Sequence, residues 1–365
     1  MLKTKARMCS VLLLTAVVLA SLGLFGCSGS TSGDNGGKSE VRLQGAGATF
    51  PFPLYQKWFS DYNKAHSNAK FDYASIGSGG GIKQITSKTV DFAGSDAPMS
   101  NDELKAAGDE ILHIPSVMGA VVLTYNVAGV SSDLKLSPGA IAGIFLGTVK
   151  KWNDPMIAGD NAGVTLPAAD ITVAHRSDAS GTSYAFTDYL SKVSPEWQQK
   201  VGTGVAVNWP VGLGAKGNEG VTGQVKQSPN SIGYIELIYA VQNKLPYATV
   251  KNAAGNFVKP SLETVSNAAA AASGSIPDDL RVSITNAPGP DSYPISTFTY
   301  FLVFKNLPDQ AKGKALVDFL WWATHDGQAT APDLAYAPLP KDIVQRDEQK
   351  IKSITCQGKQ LYSGT

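Results

Sequence analysis

The sequence predicts an α/β fold with two domains. Short apolar stretches alternate with stretches of helical periodicity, and the composition combines 37 glycines with only 17% charged residues, which is typical of α/β proteins. Roughly 325 residues remain after an N-terminal leader and linker, more than a single hydrophobic core usually organises. A formal net charge of +1 without a basic stripe argues against a nucleic-acid partner.

The first 27 residues are typical of an export signal. A basic start, Met1–Arg7, precedes an apolar stretch over 11–25 that is too short to span a bilayer comfortably. Leu24-Phe-Gly-Cys27 resembles a bacterial lipobox, although Phe25 is bulkier than usual. We therefore expect 1–27 to be a lipoprotein signal peptide ending at Cys27, where palmitate or another acyl chain would tether the mature protein to a membrane surface. An ordinary secretory signal cut nearby, or a retained N-terminal anchor, is the alternative.

Residues 28–40 are rich in Gly and Ser and predict a flexible linker. The cysteines predict no disulfide, because Cys9 lies in the leader, Cys27 would be acylated and Cys356 is then alone. No Cys and His spacing suggests a metal site. These features together predict an exported protein without a bound metal.

The first candidate binding motif follows the linker. Gly45-Ala-Gly-Ala-Thr49-Phe50-Pro51 leads into Phe52–Tyr62, whose apolar residues recur at helical spacing. Proline near the first helical position is favourable because the N–H that it lacks would have no partner there. The motif therefore predicts a glycine-rich turn that opens a helix and carries a threonine hydroxyl.

Ile76-Gly-Ser78-Gly-Gly-Gly-Ile82 repeats this pattern with a short strand, a glycine turn bearing a serine, and a helix. Glycines in such turns reach backbone angles that other residues avoid, and they let a ligand approach the main chain. The second motif thus predicts another hydroxyl at another helix start.

The third motif, Arg176-Ser-Asp-Ala-Ser180-Gly181-Thr182-Ser183, runs into the helical pattern 184–190. The first N–H groups of a helix lack partners within the helix, and the helix dipole makes that end positive, so a tetrahedral oxyanion can bind there. Capping would explain any one such motif. Three in one chain favour a shared anion site, to which Arg176 contributes a charge.

Asp96 supplies a carboxylate to this prediction. It follows the strand pattern 90–95, where open α/β sheets place their ligands, and a capping box, Ser100 with Glu103, comes next. An ionised carboxylate can only accept hydrogen bonds, so an anion beside it must carry a proton, as phosphate does and sulfate does not. An Asp that accepts local backbone N–H groups is the ordinary alternative.

The motifs occur together and in order, and on them the chain resembles the high-affinity phosphate-binding proteins of bacterial phosphate ABC importers. The resemblance covers 41–365. It rests on five motifs and on a similar C-terminal stretch: Gly45–Pro51, Gly77–Gly81, Ser95–Pro98, Arg176–Ser183, Trp209–Asn218 and Asp333–Pro340.

The resemblance implies which residues contact phosphate. It implies a main-chain N–H donor at Phe50, a proton-accepting carboxylate at Asp96, and Asp178 as the acid that orients the arginine. Gly79 stands where many relatives have a second serine, a departure from which we expect only a looser turn. The implied phosphate contacts are Thr49, Phe50, Ser78, Asp96, Arg176, Ser180, Gly181 and Thr182.

The resemblance also implies a type II periplasmic binding protein, in which two lobes, each a mixed sheet flanked by helices, are joined by two hinge strands. We expect lobe I to comprise 41–115 and 287–365, and lobe II to comprise 116–286. The outward crossing is expected near 114–124 and the return near 281–286.

The implied function is capture of inorganic phosphate in the interlobe cleft and delivery to the membrane permease subunits of an ABC importer. The protein would be a monomer without a cofactor. It would be lipid-anchored to the cell envelope, in the periplasm or on the outer face of the cell membrane. The alternatives are a binding protein for sulfate or molybdate, and a secreted phosphatase with Ser180 as nucleophile and His175 as base. The enzyme is disfavoured because no G-x-S-x-G elbow or metal cluster is present.

Overall fold

The computed structural model describes residues 40–130 and 134–364, and it confirms the predicted α/β class. The predicted signal peptide, the linker as far as residue 39, and the lipidation site Cys27 lie outside the described residues. The strands are β1 Val41–Gly47, β2 Ala69–Ser75, β3 Phe92–Ser95, β4 Ile111–Asn126, β5 Lys135–Leu136, β6 Thr172–Arg176, β7 Leu213–Ala215, β8 Ser231–Glu236, β9 Thr249–Lys251, β10 Phe257–Val258, β11 Ser296–Phe304, β12 Asn306–Leu307, β13 Thr355–Cys356 and β14 Lys359–Gln360.

Twelve α-helices are present in the described ranges, together with short 3₁₀ turns at Ser273–Ser275, Asp326–Thr330 and Pro332–Leu334. No helix there is long and apolar enough to cross a membrane. The α-helices are α1 Phe52–Ala65, α2 Ser78–Thr86, α3 Asn101–Ala107, α4 Pro138–Leu146, α5 Pro155–Asp160, α6 Gly181–Val193, α7 Pro195–Lys200, α8 Gly217–Gln227, α9 Leu237–Asn243, α10 Leu262–Ala272, α11 Gln310–Thr324 and α12 Lys341–Lys352.

The central element is a mixed sheet of eight strands in the order β2-β1-β3-β11-β4-β8-β6-β7. Strands β1, β2 and β3 are mutually parallel, β11 is antiparallel to β3 and β4, and β6 is parallel to β8 and β7. Two three-stranded sheets, β10-β9-β5 and β12-β13-β14, lie apart from it. This order brings the ends of β1, β2 and β3 to one edge of the sheet.

Strand β4 belongs to both halves of this sheet. Its residues 111–120 pair with β11, and its residues 121–126 pair with β8. The register of the β11 pairing shifts between Thr299 and Tyr300. All but the last residue of β4 are buried, as expected for a strand covered on both faces. The predicted outward crossing, 114–124, falls within β4.

Residues 281–286, where the return was expected, form irregular backbone rather than a strand. Leu280 and Asn286 both have positive φ, which interrupts an extended conformation. We propose that the lobe limits lie as the resemblance implies, with 41–115 and 287–365 on one side of the crossing in β4 and 116–286 on the other.

Asp347 is a buried carboxyl group in α12, and neither of its oxygens has a hydrogen-bond partner among the residues that the structure describes. Burial raises the pKa of Asp347 well above its usual range. Because the folded state holds a proton that the unfolded chain releases above about pH 4, this residue destabilises the fold progressively as the pH rises.

We expect Asp347→Asn to raise the melting temperature at pH 8, with a gain of about 1–3 kcal/mol in the free energy of unfolding. At pH 4.5 the two proteins should melt at similar temperatures, because the protonated acid and the amide are alike in charge and shape. Thermal denaturation at both pH values measures this. An equal shift in melting temperature at the two pH values would contradict an effect of the Asp347 charge. Asp342→Asn, on the exposed side of the same helix, serves as control.

Candidate anion-binding site

The predicted binding motifs all leave the sheet at the carboxyl ends of strands. The first lies between β1 and α1, the second between β2 and α2, and the third between β6 and α6. Asp96 follows β3 directly. The turn before α2 requires glycine, because Gly77 has φ of 88° and a Cβ there would lie 2.5 Å from Asp178 Oδ2. The topology therefore gathers three helix starts and one carboxylate.

The predicted contact residues share one buried environment. Arg176 is the most exposed of the polar residues among them, at 3%, followed by Thr49 at 2% and Asp96 at 1%. Burial of a guanidinium and a carboxyl group is costly unless both find partners, so their contacts determine what the site can bind. The buried members are Thr49, Phe50, Ser78, Asp96, Arg176, Ser180, Gly181 and Thr182.

The start of α6 lies directly against the second and fourth motifs. A Cβ built on Gly181 would lie 2.3 Å from Ser78 Oγ and 2.5 Å from Asp96 Oδ2. The main-chain N–H of Asp96 donates to Ser78 Oγ at 3.2 Å, and that of Gly79 donates to the carbonyl of Ala179 at 3.0 Å. Segments separated by about a hundred residues in the chain thus meet at Gly181.

Arg176 is held by Asp178 in a two-point contact. Its Nε donates to Oδ1 at 2.8 Å and its Nη2 to Oδ2 at 2.5 Å, while the N–H of Gly217 also donates to Oδ1 at 3.0 Å. Burial opposes ionisation of Asp178, but these hydrogen bonds and the arginine charge hold the pKa of Asp178 below its usual value. The remaining nitrogen, Nη1, donates to Thr182 Oγ1 at 3.3 Å. The pair fixes the guanidinium and leaves little of its charge uncompensated.

Several main-chain N–H groups in the cluster have no acceptor within the described part of the chain. The N–H groups of Phe50, Gly181 and Thr182 make no hydrogen bond to any residue of 40–130 or 134–364. Ser180 caps α6 by accepting from the N–H of Ser183 at 3.1 Å, which leaves its hydroxyl hydrogen available. Buried N–H groups are normally paired, so this concentration of donors suits an acceptor-rich ligand.

Asp96 is the acceptor in this group of donors. Its Oδ1 accepts from Thr299 Oγ1 at 2.8 Å, and its Oδ2 lies beside Gly181. Burial raises the pKa of Asp96 to about 7, although the bond from Thr299 and the charge of Arg176 pull it down. The carboxyl group therefore changes protonation near neutral pH, in the range where phosphate also does.

Sequence reasoning missed four side chains at this site. Thr299 contacts Asp96, Asn218 contacts Thr49 and Thr182, and the hydroxyls of Tyr239 and Tyr336 donate to the carbonyls of Thr49 and Phe50 at 2.6 and 2.5 Å. Asn218 and Tyr336 lay in stretches used for the resemblance, Trp209–Asn218 and Asp333–Pro340, but neither was predicted to support the site. Thr299, Tyr239 and Tyr336 each lie more than 180 positions along the chain from the residue that they contact, so no local pattern connects them to it.

His175 and Ser180, the pair considered for catalysis, do not contact each other. The imidazole stacks on Trp209 with ring centroids 5.0 Å apart, and its Nδ1 lies 3.0 Å from the carbonyl of Arg176. Ser180 Oγ is occupied by the cap of α6. Among the described residues no base is hydrogen-bonded to this serine.

The fold, with its buried cluster of candidate anion contacts, is that of a periplasmic binding protein, and the sequence profile of the PBP superfamily domain matches residues 29–325. The phosphate-binding protein PstS of Xylella fastidiosa is 47% identical over 309 residues, 84% of each chain. The protein of that name from Methanocaldococcus jannaschii is 40% identical over 359 residues, 92% of each chain. The chain belongs to the PstS family of phosphate-binding proteins.

Solved structures support the same fold. The phosphate-binding protein from Stenotrophomonas maltophilia superposes with a TM-score of 0.65 at 22% identity, over 86% of this chain and 94% of that one. A human phosphate-binding apolipoprotein gives a TM-score of 0.69 at 21% identity, over 87% and 99%. At such identities the likeness concerns the backbone architecture, and it agrees with the predicted two-lobed class.

Proposed function

We propose that this protein captures inorganic phosphate between its lobes and delivers it to the membrane permease subunits of an ABC importer, acting as a monomer and without a cofactor. One observation carries the proposal. Four strand ends bring Arg176, Asp96 and several N–H donors that have no partner among the described residues into a single buried cluster. The names of the PstS relatives describe the same ligand.

The geometry suits a protonated tetrahedral anion. The N–H groups of Phe50, Gly181 and Thr182 and the hydroxyls of Ser78 and Ser180 can donate to its oxygens, with the α6 dipole adding a favourable field. Arg176 adds one charged donor, largely balanced by Asp178. Asp96 then accepts the ligand's own proton, which is the contact that a fully ionised anion cannot make.

Binding and lobe closure are coupled in this proposal. Thr49, Ser78 and Asp96 belong to the proposed lobe I, whereas Arg176 and the start of α6 belong to lobe II. A ligand that touches both groups has more contacts in the closed state and shifts the hinge towards it. Closure also excludes water, so a donor or acceptor left without a partner lowers the affinity for the ligand. An importer could then distinguish the loaded protein by its shape.

Binding rather than catalysis is the better account of this site. No group of three or more His, Cys, Asp or Glu in the described ranges is placed to hold a metal ion, and Ser180 has no hydrogen-bonded base. A binding protein for sulfate or molybdate is the second candidate, but it gives Asp96 no role, because an ionised carboxylate repels a fully deprotonated anion.

The function is tested by isothermal titration of the ligand-stripped protein with phosphate, sulfate and a phosphate monoester in turn. We expect one-to-one binding of phosphate that is far tighter than binding of sulfate. Preference for sulfate would favour the second candidate. Slow heat release with the ester would indicate turnover and would direct attention to Ser180.

The lipid anchor is a separate part of the proposal. We expect Cys27→Ser to release the protein from the membrane fraction, because the thiol that would carry the acyl chain is lost. Fractionation of cells expressing either form measures this, with Cys9→Ser as the control that leaves the acylation site intact. Sedimentation of the Cys27 variant with membranes would show that another feature provides the tether.

A further inference from the structure

Asn218 lies at the centre of the site, although it is not among the predicted phosphate contacts. It is completely buried in the first turn of α8. Its amide nitrogen Nδ2 lies 2.8 Å from Thr49 Oγ1 and 3.2 Å from Thr182 Oγ1. It therefore bridges two hydroxyls that come from the two proposed lobes.

The orientation of the Asn218 amide is fixed by a main-chain N–H group on the side away from the threonines. The main-chain N–H of Glu236 donates to the Asn218 side-chain oxygen at 3.0 Å. An N–H group requires an acceptor, so the oxygen must face Glu236 and the NH₂ group must face the threonines. Both hydrogens of the NH₂ group are then used, one on Thr49 and one on Thr182.

Each threonine hydroxyl is left with only one possible role. A hydroxyl has one donor hydrogen and two acceptor lone pairs. Thr49 Oγ1 accepts from both the side chain and the main-chain N–H of Asn218, the latter at 3.2 Å. Thr182 Oγ1 accepts from Asn218 and from Arg176 Nη1. Both hydroxyls must therefore point their hydrogens elsewhere, and within the described ranges neither hydrogen has a protein acceptor.

We propose that Asn218 is a positioning residue that commits the hydroxyls of Thr49 and Thr182 to act as donors towards the bound anion. The inference rests on the proposed phosphate function and adds a reason for its selectivity. An anion rich in acceptors fits these two hydroxyls, whereas a ligand that must donate a hydrogen bond to them does not. Asn218 and Thr49 come from different proposed lobes. The Thr49 hydroxyl is therefore restricted to donating only when the lobes are close enough for this contact to form.

The test is Asn218→Asp, whose side chain keeps the shape of the amide but cannot donate when ionised. At pH 8 we expect phosphate affinity to fall by about 100-fold, because the carboxylate draws both hydroxyl hydrogens to itself. As the pH falls towards 5.5 the buried acid becomes protonated and regains one donor hydrogen. The deficit of the variant relative to the unmodified protein, measured by titration at each pH, should therefore shrink.

A deficit that stays constant with pH would overturn the inference, since a purely structural defect does not depend on the protonation of residue 218. Asn161→Asp is the matched control: this amide is also buried but serves Lys135 and Ile157 instead, and its variant should show no pH-dependent loss of affinity. If the unmodified protein fails to bind phosphate at all, the proposed function falls, and that result is distinct from failure of the inference.

A double-mutant cycle provides a second test that does not depend on folding of the Asp variant. Asn218→Ala and Thr182→Val are combined, and phosphate affinity is measured for all four proteins. If Asn218 acts through the hydroxyl, the double variant should lose clearly less affinity than the product of the two single losses. Independent, multiplicative losses would overturn the inference.

Discussion

Replacing Asp96 by Asn is expected to remove most of the preference for phosphate over sulfate. The carboxylate accepts a proton that phosphate carries and sulfate lacks, whereas the amide can donate to either anion. Sites that pair a ligand hydroxyl discriminate against analogues without it by about 10⁴–10⁵, so the ratio of affinities should fall by a factor of that order. Phosphate itself should still bind, since the donors around Gly181 remain.

Competition titrations with phosphate and sulfate measure this ratio. Asp91→Asn is a matched control, because Asp91 precedes β3 at the end opposite Asp96 and binds Lys312 and the N–H of Gln44 instead. Unchanged selectivity in the Asp96 variant, with the control also unchanged, would refute the role of Asp96 in sensing the proton.

The same substitution should alter stability in the absence of ligand. The pKa of Asp96 is about 7 in the folded protein because of burial, so folding retains a proton that the unfolded chain releases above about pH 4. The free energy of unfolding of the form in which Asp96 is buried therefore declines as the pH rises from 4 to 7. The Asn variant should lack this decline. Its melting temperature should exceed that of the unmodified protein at pH 8 and approach it at pH 4.5.

Gly181→Ala is expected to abolish tight phosphate binding while leaving the fold intact. The added Cβ would lie 2.3 Å from Ser78 Oγ and 2.7 Å from Asp96 Cβ, closer than non-bonded atoms can approach. Since these neighbours belong to the other proposed lobe, the clash is relieved by keeping the lobes apart. The helix does not oppose the change, because alanine is a better helix former than glycine. We expect a loss of affinity of at least about 100-fold, the equivalent of two or more buried hydrogen bonds.

Titration with phosphate tests the loss, and small-angle scattering with and without phosphate tests the failure to close. Gly223→Ala is the control, since a Cβ at that position in α8 has no atom within 4 Å. It should bind phosphate normally and gain a little stability, of the order of 0.5–1 kcal/mol. Normal affinity in the Gly181 variant would mean that the start of α6 does not approach Ser78 and Asp96 when phosphate binds.

The parts of the site that sequence analysis predicted are those with local causes. Gly77 must adopt positive φ, Ser180 must cap α6, and Asp96 must follow a strand, so each leaves a pattern within a few residues. The strand order then assembles these patterns. They could be recognised before the fold was known because turn chemistry and helix capping are nearly independent of tertiary structure.

The parts that were not predicted depend on long-range contacts. Thr299 donates to Asp96 from a strand 203 positions away, and Tyr336 supports Phe50 from 286 positions away. Threonine and tyrosine in apolar stretches look like ordinary strand and core residues. The irregular segment 281–286 was equally hidden, because its Ser283 and Thr285 are engaged by Asp188 of α6, an interaction that has no sequence pattern.

The double membership of β4 has a mechanical consequence. One continuous strand, β4, is hydrogen-bonded to β11 along one stretch and to β8 along the next. The two halves of the sheet therefore cannot rotate about a single point of the backbone. In the proposed lobe closure, the relative motion of the two halves would be a change of twist distributed along β4. The register shift between β11 and β4 falls at Thr299 and Tyr300, and Thr299 is the residue whose hydroxyl donates to Asp96. A change of twist at this position would therefore also move the hydroxyl group that donates to Asp96.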